Sequence, residues 1–255
     1  MRKIQAIKFK LTGRTAFFKK PDVNVNTYFT YNNIHKVALL GLLGAIIGLQ
    51  GHIQQNRSIK EGNTVEYPEF YYKLKDLKIC IKPFGKNGYF SKKVQVFNNS
   101  VGYASKEAGG NLIVREQWIE NPKWEIYLLN DGSIEETLFN KLEDYLLNNK
   151  CTYIPYLGKN DHPAFIEECD VVKLEEVKNI EHIDSIFPIE KVVLGDSPYI
   201  EGGDIYYFKE FSPASLSKQY NFYEFKEVCY TSLIIEDVVT KDNIYKEEGK
   251  IIVFF

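Results

Sequence analysis

Thirteen consecutive residues, Val37 to Leu49 (VALLGLLGAIIGL), carry neither a charge nor a polar side chain. No other feature constrains the fold as much. A bilayer crossing needs ~20 apolar residues, so this run reads as a helix buried in a folded core. Each of its three glycines, Gly41, Gly44 and Gly48, costs ~1 kcal/mol of helix propensity relative to alanine. They suit a helix lying so close to another backbone that only a hydrogen fits between them. Gly44 and Gly48 form a GxxxG, but that pattern signals a membrane dimer only within an apolar 20-mer, and no membrane partner is expected.

Tyr28, Phe29 and Tyr31 precede the helix, and His35 and Lys36 sit at its start. Aromatic and basic groups at the positive end of a helix can hold a phosphate, because free N–H groups and the dipole both point there. The same residues also suit a loop whose aromatics pack on the core and whose lysine is solvated.

The net charge of -2 over 255 residues hides an asymmetry. Residues 1–60 carry +9, residues 61–150 carry -1, and residues 151–255 carry -10. A basic first quarter beside an acidic last stretch suits a polyanion at one end and a basic neighbour at the other. Attraction between the two halves within the fold is the competing explanation. Cys80, Cys151, Cys169 and Cys229 are widely spaced with no CxxC, which argues against structural zinc, and no metal or cofactor is expected. The basic start runs into an alternating segment rather than an apolar signal region, so the expected location is cytoplasmic. Walker A, GxGxxG, GxSxG and HExxH patterns are absent from the sequence.

Along the chain, Ile7, Phe9 and Leu11 alternate with Lys8 and Lys10, as in a half-buried strand. A polar connection with Arg57 and Lys60 follows the glycine-rich helix. Leu77–Lys82 and Val94–Phe97 read as strands, and Leu112–Trp118 as a returning one. Residues 98–121 therefore suggest a long exposed β-hairpin. Lys123–Leu129 is a further strand, and Ser133 to Glu136 reads as a capping box opening a helix whose apolar face is Ile134, Leu138, Leu142, Tyr145 and Leu146. Thr152–Gly158 (TYIPYLG) reads as a short last strand. That order is the split βαβ plan of an α+β, ferredoxin-like fold. It predicts one unit over 1–163 and an acidic, β-rich C-terminal region over 164–255.

Several segments together resemble a known family: FKLTG at 9–13, AFFKKPDVN at 16–24, HKVALLGLLGAIIGL at 35–49, REQW at 115–118 and PYLGKNDHPA at 155–164. They look like the Cas-five family of CRISPR-associated Cascade subunits in the RAMP superfamily, most like its type I-B branch. The resemblance covers about residues 4–164. It implies a ferredoxin-like (RRM-type) core with a projecting β-hairpin thumb. It also implies a non-catalytic subunit of an antiviral surveillance complex, one that binds the 5′ handle of the CRISPR RNA. By the same resemblance the chain would cap the Cas-seven backbone next to the large Cas-eight subunit, meeting target DNA through the complex. Arg14, Lys19, Lys20, Tyr28, His35 and Lys36 would line the handle surface, with Lys159 and His162 in the downstream turn. Tyr103, Lys106 and Arg115 would lie on the thumb. Phosphate contacts and base stacking on aromatics are how single-stranded RNA is typically held.

A type I-C branch of the family cleaves precursor RNA without a metal, using a tyrosine and a mid-chain Lys-His pair. None of the histidines here (His35, His52, His162, His182) falls between residues 61 and 150. His35, Lys36 and Tyr28 are the alternative catalytic candidates, and binding is the favoured expectation.

Overall fold

A computed structural model describes residues 4–22, 26–98, 102, 106–108 and 110–255. The chain opens with β1 (Gln5–Thr12) and a two-residue β2 (Thr15–Ala16), then α1 (Lys36–Ile47), α2 (His52–Lys60) and α3 (Glu69–Leu74). Strands β3 (Ile79–Pro83), β4 (Lys92–Asn98), β5 (Ile113–Glu120) and β6 (Lys123–Asn130) lead to α4 (Glu136–Leu147) and β7 (Phe165–Lys173). The rest is β-rich: β8 (Glu175–Glu176), β9 (Phe187–Pro188), β10 (Val192–Pro198), β11 (Tyr207–Leu216), β12 (Tyr223–Thr231), β13 (Leu233–Val238), β14 (Ile244–Glu247) and β15 (Lys250–Val253). The class is α+β with antiparallel sheets, as the sequence predicts.

The central sheet has the order β3-β6-β1-β7. With α1 and α4 it completes a strand-helix-strand-strand-helix-strand path. Its two faces separate the alternating side chains of each strand. Ile7, Phe9, Leu11, Ile79, Ile81, Trp124, Ile126 and Leu128 point towards the helices. Ala6, Cys80, Tyr127 and Leu129 point the other way, where Ile252 and Phe254 cover them.

α1 is buried nearly all round, as a helix without a polar stripe must be. The close approach expected of its glycines is real at Gly44, where an added Cβ would stand 2.5 Å from Cβ of Phe70 on α3. The helix stops at Gly48, whose φ of 83° is left-handed and whose N–H donates to the Ala45 carbonyl.

Four sequence expectations are corrected. The final strand of the central sheet is β7, not Thr152–Gly158, so that sheet uses residues beyond 163. TYIPYLG alternates like a strand, but its N–H groups go elsewhere: Thr152 and Tyr153 donate to the Ile46 and Ala45 carbonyls at the end of α1. The capping box does not form. Asp131 takes the Ser133 N–H at 3.0 Å, Ser133 Oγ has no partner, and α4 starts later with Glu135 as its cap residue. The polar connection contains α2 and α3. The long hairpin starts earlier than expected, since β4 pairs β5 from Lys92↔Ile119 to Asn98↔Ile113, and β2 extends it at Thr15↔Glu120.

Much of the charge asymmetry is used inside the fold. Lys8 Nζ lies 2.9 Å from Glu247, Lys10 pairs with Glu168, and Lys20 Nζ lies 3.2 Å from Glu210. On the far sheet face Glu125 and Glu247 are buried around the Tyr127 hydroxyl, with Lys8 and Lys250 beside them. Among the described residues, no single helix is long and apolar enough to cross a membrane.

Candidate nucleic-acid interface

Four separated stretches of chain meet at the foot of the β4–β5 hairpin. The Phe17–Lys20 segment runs antiparallel to Tyr28–Tyr31, with a bridge at Lys19↔Thr30 and Lys20 N–H donating to the Phe29 carbonyl at 2.8 Å. This small ribbon docks on β5: Tyr28 N–H donates to the Arg115 carbonyl, and Gln117 N–H donates to the Tyr28 carbonyl. The 156–163 turn closes the other side through Phe17 N–H, which donates to the Leu157 carbonyl at 3.1 Å.

Lys19, Tyr28, Arg115, Lys159, His162 and, just before β2, Arg14 thus share one region. Lys19 Nζ sits 3.8 Å from the centre of the Tyr28 ring, a cation–π pair contributing ~0.5–1 kcal/mol at an exposed site. No carboxylate pairs with Arg14, Lys19 or Arg115 among the described residues, and all three are exposed. Their charge is free to meet phosphate.

Lys159 is differently placed. Its ammonium lies 3.1 Å and 3.2 Å from the two oxygens of Glu116, a buried carboxylate that also accepts from Trp118 Nε1 at 2.8 Å. Asp161 approaches it at 3.4 Å. Lys159 is therefore largely neutralised and ties the turn to the hairpin. His162 is fully buried: Nδ1 is 2.6 Å from Thr15 Oγ1, and the ring stands edge-on to Trp118. Burial holds its pKa below the usual imidazole range, so it is a neutral wedge under the hairpin rather than a surface ligand.

His35, Lys36 and Lys20 are each engaged by partners within the fold, although Lys20 belongs to the same ribbon as Lys19 and His35 borders the groove beside it. His35 is the N-cap of α1, its Nδ1 accepting the Ala38 N–H at 3.2 Å, inside a nest of Phe18, Tyr31 and Tyr223. Burial lowers its pKa to about 3. A histidine just before an apolar helix suits a phosphate ligand and an N-cap equally by position, and here it is the cap. Lys36 turns to the Phe255 carbonyl at 3.0 Å, and burial lowers its pKa to about 8. Lys20 bonds Glu210, which also accepts from Asn32 N–H. Lys106 is exposed in the hairpin loop, and Tyr103 lies outside the described residues.

Beside the hairpin foot opens a groove of about 1010 Å³. Lys19, Glu116 and Lys159 stand at one end, and the outer side of α1 (Val37, Ala38, Gly41) forms its floor. Tyr153 and Tyr156 line it with rings 58% and 46% exposed. From the sequence alone these tyrosines read as strand residues and not as candidate site residues. Their signal was present: solvent-facing aromatics in a proline-containing loop. Tyrosine rings beside unpaired cations can stack unpaired bases while phosphates meet the lysine and arginines.

No family model matches this sequence, and no curated protein matches it. The chain is similar to several solved structures of CRISPR and Cas proteins. One is a CRISPR RNA-guided surveillance complex, at 12% identity over 91% of each chain with a TM-score of 0.49. Another is a CRISPR protein from Archaeoglobus fulgidus, at 12% identity over 97% of this chain and 98% of that one, TM-score 0.44. A third is a Cas protein, at 12% identity over 91% and 95%, TM-score 0.42.

Proposed function

We propose that this chain is a non-catalytic, RNA-binding subunit of a type I-B-like Cascade complex, gripping the 5′ handle of the CRISPR RNA at the hairpin foot. The observation that carries this reading is the meeting of Lys19, Tyr28 and Arg115, from distant parts of the sequence, where one ribbon docks on β5, with Lys19, Tyr153 and Tyr156 lining the groove beside it. Lys19 and Arg115 lie in segments that carry the sequence resemblance to the Cas-five family. The strand order β3-β6-β1-β7, crossed by α1 and α4, supports a ferredoxin-like core of the RRM type, as in the RAMP superfamily.

In an RRM the open sheet face stacks the bases. Here Ile252 and Phe254 cover that face, and Glu125 and Glu247 are buried in it, which directs RNA to the hairpin and groove. The exposed hairpin, with Lys92, Lys93 and Arg115 along it, is the element to meet a Cas-seven backbone subunit, with Cas-eight and target DNA reached through the complex. Binding rather than cleavage is favoured because His35 is a buried cap and His162 a buried wedge, leaving neither as a ready base.

The test mixes purified protein with labelled CRISPR repeat RNA in EDTA on native and denaturing gels. A shifted but intact RNA is the expected result. A discrete cut near the handle would overturn the non-catalytic assignment, and no shift would remove RNA binding by the isolated chain.

A further inference from the structure

α2 is a helix with almost no packing. Of its nine residues only Gln55 is buried, its amide donating to the Glu66 carbonyl and to Asn221 Oδ1. Isolated helices shorter than ~12–15 residues are marginal in water, so a free-standing helix of this length gains from a partner along its open side. The apolar exposure, Ile53 at 66% and Ile59 at 48%, is split between its two ends and forms no stripe.

What the helix offers instead is a polar, acid-free surface. HIQQNRSIK contains His52, Gln54, Asn56, Arg57 and Lys60 and no aspartate or glutamate. Arg57 and Lys60 are exposed and pair with no carboxylate among the described residues. Cations kept free of acids beside amide side chains suit phosphate oxygens and base edges.

The position of the helix supplies the second argument. His52, Ile53 and Gln54 line the far end of the groove whose near end holds Lys19 and Lys159. The groove thus leads from the hairpin foot, past Tyr153 and Tyr156, onto the first turn of α2. From there α2 turns 81° from α1, the floor of the groove, and carries Arg57 and Lys60 away along a helix of about 14 Å at 1.5 Å per residue.

We propose that α2 is a second single-stranded RNA contact, taking the nucleotides that leave the groove with Arg57 and Lys60 on their phosphates. The inference rests on the RNA-binding reading above and extends its site. Charge complementarity and continuity with the groove favour RNA over a protein partner.

The experiment measures fluorescence anisotropy of the full chain with labelled repeat RNA across a salt series, comparing wild type with the double variant R57E/K60E. Both side chains are exposed, and circular dichroism checks that the fold is kept. Each lost phosphate contact lowers the slope of log K against log salt by ~0.7 for single strands, so a drop of about 1.4 is expected. An RNA short enough to fill only the groove should bind both proteins equally. A double variant with the wild-type slope on long RNA overturns the α2 contact and leaves the hairpin-foot reading standing; α2 would then be a protein-docking helix. Absence of RNA binding by the wild type overturns both.

Discussion

Gly44→Ala tests how tightly the buried helix is wedged. The new methyl would stand 2.5 Å from Phe70 Cβ and 3.5 Å from Phe70 Cα, atoms next to the backbone of α3 that no rotamer change can move aside. Overpacking of this kind costs ~1–3 kcal/mol, and the helix-propensity gain of alanine over glycine returns ~1 kcal/mol. A separation of 2.5 Å belongs at the upper end of that cost, so the net expectation is a loss of about 2 kcal/mol. Gly41→Ala is the internal control. Its methyl would meet only the Phe70 ring, at 3.7 Å, an ordinary contact, so the propensity gain of up to ~1 kcal/mol should appear as stabilisation. Urea unfolding followed by circular dichroism reads both, as opposite shifts of the midpoint at unchanged slope. The reasoning fails if the two variants shift the same way, or if Gly44→Ala is as stable as wild type.

Lys19→Glu should weaken RNA binding and lower the salt slope by ~0.7, whereas Lys20→Glu should chiefly lower the melting temperature by breaking the Glu210 contact; anisotropy and thermal melts separate the two. His35→Asn keeps an N-capping side chain but removes a buried imidazole whose pKa is lowered to about 3. Because that folded-state pKa is depressed, the histidine's contribution is intact above ~6.5 and is lost as pH falls towards 3. The wild type should therefore lose ~1.4 kcal/mol per pH unit more than the variant between pH 6 and 4, read from urea midpoints. Ending the chain after Gly158 removes β7, the partner of β1, and should give insoluble protein rather than a working core, as expression and sedimentation would show.

The sequence made the buried helix, the alternation of β1 and the hairpin legible because each depends on local pattern. A close approach was legible as a class from the glycines of the apolar helix, but that it falls at Gly44 and not at Gly41 depends on where Phe70 packs. What stayed hidden depends on distant partners. Nothing in TYNNIHKV says that His35 would be enclosed by Tyr223, or that Lys36 would reach the Phe255 carbonyl. The basic first quarter looked available to a polyanion, yet Lys8, Lys10 and Lys20 are taken by Glu247, Glu168 and Glu210. At the candidate site, Lys19 and Arg115 could be picked from composition, while Lys159 could not be known to be neutralised by Glu116.

The central place of β1 has a kinetic consequence. Its two neighbours, β6 and β7, lie more than a hundred residues further along the chain, with registers such as Phe9↔Ile126 and Leu11↔Ile166. Pairings of such sequence separation make folding slow, because the loop-closure entropy precedes the reward. Until both neighbours arrive, Ile7, Phe9 and Leu11 belong to a strand with two open edges, the kind of surface that recruits other unfinished chains. The yield of soluble protein should therefore be governed by the race between β6–β1–β7 assembly and intermolecular strand pairing, and should rise when folding takes place at low concentration.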